Sequence, residues 1–138
     1  MSVGKNGKIF HNDYATPKYI YEPLNNEFNF DFDPCPLNHN ITKWNGLIVD
    51  WGKSNFVNPP YDRKTKEAFI KKGIDEYKKG KTVVFLLPVS TSTKIFHEHI
   101  LINNPEIRFI KGRIKFADNK AGSFDNMLVI FKYNLNER

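Results

Sequence analysis

Cysteine is almost absent from this chain: Cys35 is the single one in 138 residues, which excludes an intrachain disulfide and any metal site built from a cysteine cluster. A reducing, intracellular setting is the expectation. Long apolar runs are missing as well. No stretch approaches the roughly 20 residues needed to span a bilayer. The opening Met1-Ser2-Val3-Gly4-Lys5-Asn6-Gly7-Lys8 lacks the apolar core of a signal peptide, so a cytoplasmic protein is expected. With no internal repeat, no low-complexity tract and no dividing linker, the chain reads as one domain over 1–138, with residues 1–13 as a flexible arm. His97 and His99 are two apart and cannot share a helix face, so no metal is expected. Ser90, Thr91, Ser92 and Thr93 lack the histidine–carboxylate setting of a hydrolase nucleophile, and capping a helix or lining a pocket suits them better.

Apolar residues make up 40% of the chain and aromatic ones 14%, ample for one core. The net charge of +6 favours an anionic partner, and nucleic acid qualifies because phosphates release counterions to clustered Lys and Arg. Lys71, Lys72, Lys78, Lys79 and Lys81 lie on or just after one expected helix, where they form either such a surface or a merely solvated face.

Thr16-Pro17 followed by Lys18–Leu24 reads as a capped helical turn, with Thr16 at N-cap and Pro17 at N1. Phe28-Asn29-Phe30-Asp31-Phe32-Asp33 alternates at period two and predicts a half-buried strand ending at Pro34. Residues 34–46 are loop-like. Leu47–Val49, ending at Asp50-Trp51, and Asn55–Val57 predict two more short strands. Asp62 or Thr65 caps a helix to about Lys79, carrying Phe69, Ile70, Ile74 and Tyr77 and stopped by Gly80. Thr82–Leu87 has no polar face after Thr82 and predicts a strand buried on both sides. A helix near Thr93–Ile102 is stopped by Asn103-Asn104-Pro105. Strands close the chain at Ile107–Ile110, with a continuation at Arg113–Phe116, and at Met127–Phe131. Together these predict an α/β domain with a mostly parallel central sheet and an antiparallel C-terminal edge.

The densest chemistry lies in Ser54-Asn55-Phe56-Val57-Asn58-Pro59-Pro60-Tyr61. An asparagine carbonyl accepts a hydrogen bond from an exocyclic amine. Pro59 and Pro60 lack N–H groups and stiffen an extended backbone whose carbonyl can accept a second bond. Tyr61 offers a flat face for an extruded base, a stack worth about 1–3 kcal/mol. The residues suit one adenine-like amine; the plainer account is a turn at a strand end.

With a strand before this tetrapeptide and a helix and an apolar strand after it, the chain resembles the phage-type, Dam-like DNA N6-adenine methyltransferases. The resemblance runs from about Thr16 to Phe131. It includes Thr16-Pro17, Phe32-Asp33-Pro34-Cys35-Pro36, Asp50-Trp51, Leu86-Leu87-Pro88, Gly112–Phe116 and Phe124–Phe131. It implies a compact, reduced Rossmann-like class I methyltransferase fold with S-adenosylmethionine as cofactor. It also implies a bacterial host cell of a phage or prophage, and duplex DNA with a flipped adenine as substrate. The Asn58 side chain and Pro59 carbonyl would hold the amine, Pro60 would stiffen the turn and Tyr61 would stack. Asp33-Pro34 and Thr16-Pro17 would meet the cofactor's methionine end, and Asp50 its ribose or other groups. Each has a local alternative: Asp33 as a loop cap, Thr16 as a helix cap, Asp50 as a turn residue, Trp51 as core. Arg113 and Lys115 alternate along an expected strand, suited to phosphates or to a solvated edge.

Pro34–Asn40 holds no glycine where such enzymes carry a glycine-rich turn, and only residues 34–57 separate the first motif strand from Asn58. The implied cofactor site is compressed. A nucleic-acid-binding module of this fold without cofactor is therefore one competing expectation; methylation of RNA or of a protein amide is another, since both present the same planar NH2. So small a domain also implies a short target or help from a dimer partner.

Overall fold

The computed structural model of the chain describes residues 16–36, 45–115 and 125–133. The expected arm at 1–13 and residues 37–44 of the loop lie outside them. Helix α1 spans Lys18–Phe28, strand β1 Ser54–Val57, helix α2 Arg63–Lys78 and strand β2 Thr82–Pro88. A π turn at Phe96–Ile100 runs into a 3-10 turn at Leu101–Asn103, and strands β3, Glu106–Phe109, and β4, Asn126–Phe131, follow.

The sheet has the order β1-β2-β4-β3. β1 pairs β2 in parallel, with Val57 opposite Phe85, whereas β4 runs antiparallel to both of its neighbours. This corrects the expected mostly parallel sheet: the fold is α/β, but the sheet is mixed. The apolar closing strand does not add at the margin. Buried along its whole length, it has to lie between two strands, and it takes the place between β2 and β3.

Both faces of the sheet are covered. Val57, Val83, Phe85, Leu87, Met127, Val129 and Phe131 meet Phe69, Ile70 and Ile74 of α2 and Ile95, Phe96 and Ile100 on one face. Phe56, Val84, Leu86, Leu128 and Ile130 meet Leu24, Ile20 and Tyr21 of α1 on the other. Alternation along each strand decides the face, and each such side chain removed from water contributes about 1.5–3 kcal/mol.

The local signals that end elements hold well. Asp62 caps α2 by accepting from Thr65 N at 3.1 Å. Gly80, at φ 103°, stops it in a conformation that a Cβ would strain. Thr93 Oγ1 accepts from Phe96 N at 3.3 Å, and Asn104, at φ 53°, ends the helical segment.

Three expected elements change. Phe28–Asp33 is not a strand: α1 continues to Phe28, Asn29 turns to φ 52°, and Phe30 N bonds Asn25 Oδ1 at 3.0 Å. Of the six residues only Phe32 bridges Asn55, in parallel. The alternating rings serve instead as an aromatic cluster, with Phe30 5.3 Å and Tyr21 5.3 Å from Phe56. Leu47–Val49 is a turn with Ile48 80% exposed, because Asn45 Oδ1 accepts from Leu47 N and Trp51 Nε1 bonds Gly46 O at 2.7 Å. β3 ends at Phe109; Ile114 is buried between exposed Arg113 and Lys115 without a continuous ladder, and Phe116 lies outside the described residues.

At the amino ends of β1 and β2 sits a fully buried carboxylate, Glu76. It accepts from Lys72 Nζ at 3.0 Å, Lys79 Nζ at 3.1 Å, Lys81 Nζ and Trp51 N. Burial alone raises a carboxyl's pKa, but the hydrogen bonds from Lys81, Lys72 and Lys79 outweigh it and hold Glu76 at about 2. Three of the five clustered lysines thus belong to a structural knot.

Candidate active site

Asn58-Pro59-Pro60-Tyr61 leaves the carboxyl end of β1, where an open α/β sheet places ligands. Because Val57 faces α2 and side chains alternate, Asn58 turns toward α1. There its Nδ2 donates to Thr16 Oγ1 at 3.0 Å, joining residues 42 apart in sequence. Thr16 is not the helix cap expected of it. Pro17 takes that position, with extended φ −63° and ψ 149°, and the Thr16 hydroxyl is directed to Asn58 instead.

A second segment approaches the main chain of the same residue. Asp33 Oδ1 accepts from Cys35 N at 2.9 Å in a side-chain turn, and the turned Cys35 Sγ donates to Asn58 O at 3.3 Å. Pro34 is buried beside it, and Gly46 packs so closely that an added Cβ would stand 1.7 Å from Pro34 O. The turn without glycine is thus completed by a glycine from further along the chain. Asp33 itself is exposed. Burial, and then the Asp33 charge, raise the pKa of the Tyr21 phenol, which stays protonated at neutral pH.

The third part is Tyr61. It is half-buried against the α1-side cluster, and its Oη accepts from Asn126 Nδ2 at 3.0 Å. Asn126 opens β4 opposite Pro88, so the amino end of this reversed strand lies at the same sheet edge as the carboxyl ends of β1 and β2. Asp62 starts α2 directly after Tyr61 and fixes the exit of the loop.

The structure therefore brings together Thr16, Pro17, Asp33, Pro34 and Asn58–Tyr61. It does not bring Asp50 to them. Asp50 follows a turn rather than a strand and lies 4.0 Å from Lys79, at the amino end of β1. That strand separates it from Asn58 by about 13 Å of sheet. Arg113 lies nearer: its Nε is 3.5 Å from Asp125 Oδ1, next to Asn126, while Lys115 is exposed beyond buried Ile114.

Two residues escaped the sequence reading, Cys35 as a partner of Asn58 and Asn126 as a partner of Tyr61. Cys35 gave no signal. Asn126 did give one, a polar residue heading five apolar ones. A cavity of about 140 Å³ opens near this edge on the α2 side, lined by Lys66, Ile70, Pro88, Ser90, Thr93 and Met127 among others; Asn58 and Tyr61 are not among its walls. Among the described residues no three His, Cys, Asp or Glu side chains gather as a metal site, and no helix is long and apolar enough to cross a membrane.

Comparison with known proteins bears on what this edge does. Residues 5–133 match the family model described as DNA N-6-adenine-methyltransferase (Dam). The chain is also 35% identical over 137 residues to the DNA N-6-adenine-methyltransferase of Haemophilus phage HP1 (strain HP1c1), covering 86% of this chain and 78% of that protein. The match spans the whole edge from Thr16 to Asn126, and on it the chain belongs to the DNA N-6-adenine-methyltransferase family.

Proposed function

We propose that this protein methylates the N6 amine of adenine in DNA, with S-adenosylmethionine as the methyl donor and a flipped adenine in duplex DNA as the acceptor. The observation that carries this reading is the 3.0 Å bond between Asn58 and Thr16. It fixes the amide of the Asn-Pro-Pro-Tyr turn against the entrance of α1, so amine recognition and the suggested cofactor segment share one place. The mixed sheet, with parallel pairing at β1 and reversal at β4, supports a reduced Rossmann-like methyltransferase fold.

The donor set fits the cofactor's methionine end, which carries an ammonium, a carboxylate and a sulfonium. Asp33 supplies a carboxylate for the cationic groups, and Thr16 supplies a hydroxyl. The start of α1 leaves backbone N–H groups for an anion. When bound, S-adenosylmethionine supplies an electrophilic methyl group. The chain's own residues do the rest. Asn58 Oδ1 and the Pro59 carbonyl accept from the two N6 hydrogens and favour a tetrahedral nitrogen, whose lone pair is otherwise delocalised into the ring. Pro60 keeps the two acceptors at a fixed spacing, and Tyr61 holds the base plane. Orientation of this kind is the main contribution a protein can make to such a transfer. Arg113, beside Asp125, and exposed Lys115 are the residues suited to contact DNA phosphates. The setting that this reading implies is the cytoplasm of a bacterial host of a phage or prophage.

The test is transfer of labelled methyl groups from S-adenosylmethionine to duplex DNA, single-stranded DNA, RNA and protein. Label in N6-methyladenine of DNA is the expected product, formed about 10²–10³-fold more slowly by Asn58→Ala. Label in RNA or a glutamine amide would reassign the acceptor, and salt-sensitive DNA binding without any transfer would point to a binding module.

A further inference from the structure

Two asparagines are buried among the described residues, with unlike treatment. Asn55, fully buried in β1, has its whole amide engaged: Oδ1 accepts from Gly52 N at 2.9 Å, and Nδ2 donates to Gly52 O at 2.9 Å and Thr82 O at 3.0 Å. Asn126 is 1% exposed, yet only its Nδ2 is engaged, with Tyr61 Oη; its Oδ1 is buried and has no hydrogen-bond partner among the described residues.

A buried amide that is half satisfied is destabilising where an apolar residue would not be, and Met127–Phe131 show that the rest of β4 is apolar throughout. Departures from that rule concentrate at functional positions. The backbone around Asn126 is tightly held: its carbonyl accepts from Ile110 N at 3.1 Å, and the preceding Asp125 carbonyl accepts from Val89 N at 2.8 Å. The side chain therefore projects from a rigid strand head into the Asn-Pro-Pro-Tyr loop, where it reaches the one ring placed to stack on the base.

We propose that Asn126 is the positioning residue of the site: its amide anchors the Tyr61 phenol to the head of β4 and thereby sets the plane of the Tyr61 ring. The inference rests on the role given above to Tyr61. Asn126 touches neither base nor cofactor; it acts through the tyrosine. The bond from the head of β4 thus couples the reversed strand to the acceptor side of the reaction.

The experiment uses the full chain and three variants, Asn126→Leu, Tyr61→Phe and the double variant. Asn126→Leu keeps the side-chain size and removes the half-satisfied amide, so its Tm should equal or exceed that of the parent. Its kcat for DNA methylation should fall about 10- to 100-fold, while the KM for S-adenosylmethionine stays within about twofold. Tyr61→Phe should lose a similar factor, and the double variant no more than the larger single loss. In tyrosine-labelled protein, which has six tyrosines, the resonance that Tyr61→Phe removes should shift in Asn126→Leu.

Losses that multiply, an unshifted Tyr61 resonance, or full activity in Asn126→Leu would each overturn the assignment. If Asn126→Leu does not fold, Tyr61→Phe breaks the same bond from its other end, and parental kcat there overturns it equally. If the parent protein methylates no DNA, the proposed function fails on its own. The resonance then decides alone whether Asn126 holds Tyr61.

Discussion

The two ends of the sheet are built on opposite terms. At the amino ends of β1 and β2, Glu76 is surrounded by three lysines and a backbone N–H, and Asn55 has every amide group engaged. At the carboxyl ends, polar groups meet through contacts between distant segments: Asn58 with Thr16, Cys35 with Asn58 and Tyr61 with Asn126. One end is closed upon itself. The other keeps its polar chemistry for something that arrives, so stability and activity should be separable by substitution.

The largest effect is expected where the closed end is broken. Glu76→Ala leaves three lysines and the Trp51 N–H around an empty buried position and should cost about 3–5 kcal/mol of stability, read by urea denaturation. A loss below about 1 kcal/mol would mean that the knot is no firmer than a surface pair. The same group sets a pH dependence. Its folded pKa, about 2, lies below the ordinary 4.5, so its stabilisation is complete above pH 4.5 and disappears as pH falls toward 2. Denaturation midpoints from pH 7 to pH 2 should show that decline, and Glu76→Gln should flatten it.

Next comes the open end. Asn58→Ala should lower kcat by about 10²–10³-fold, the scale for losing one preorganised polar contact. Its Tm should stay near the parent's. A Tm drop as large as that of Glu76→Ala would erase the distinction between the ends. Gly46→Ala should have an intermediate result: overpacking against Pro34 costs about 1–3 kcal/mol. Because the displaced segment carries Asp33, titration calorimetry should also show weakened S-adenosylmethionine binding. The smallest effects belong to Arg113→Ala and Lys115→Ala. Each should reduce the salt slope of DNA binding by about 1 while changing stability by less than about 0.5 kcal/mol.

How much was legible in the sequence follows the same division between near and far. α2 could be read to within a residue or two, because Asp62, Gly80 and the Phe69-Ile70-Ile74 spacing are local instructions, and β2 because five buried residues in a row permit few other fates. The Asn58–Tyr61 turn was visible for the same reason. Phe28–Asp33 misled because alternating rings fit a strand and equally fit a helix end, a cluster member and a single bridge; packing against Phe56 decided among them. Leu47–Val49 misled because three apolar residues do not specify a partner, while Asn45 and Trp51 specify a turn. That turn is also why Asp50 lies far from the site. The place of β4 within the sheet, and hence the approach of Asn126 to Tyr61, is set by long-range packing that no local pattern records.

That place has a consequence for how the protein is made. β4, the described strand furthest along the sequence, lies between β2 and β3. Until residues 126–131 emerge, the apolar β2 presents an unpaired margin to neighbouring nascent chains, a template for intermolecular pairing. Completion must await a closure of high sequence separation, so folding should be slow for so small a chain and sensitive to dilution. A ribosome halted before residue 126 would release a product that already carries Asn58-Pro59-Pro60-Tyr61 but lacks the strand that joins β2 to β3 and the Asn126 that meets Tyr61.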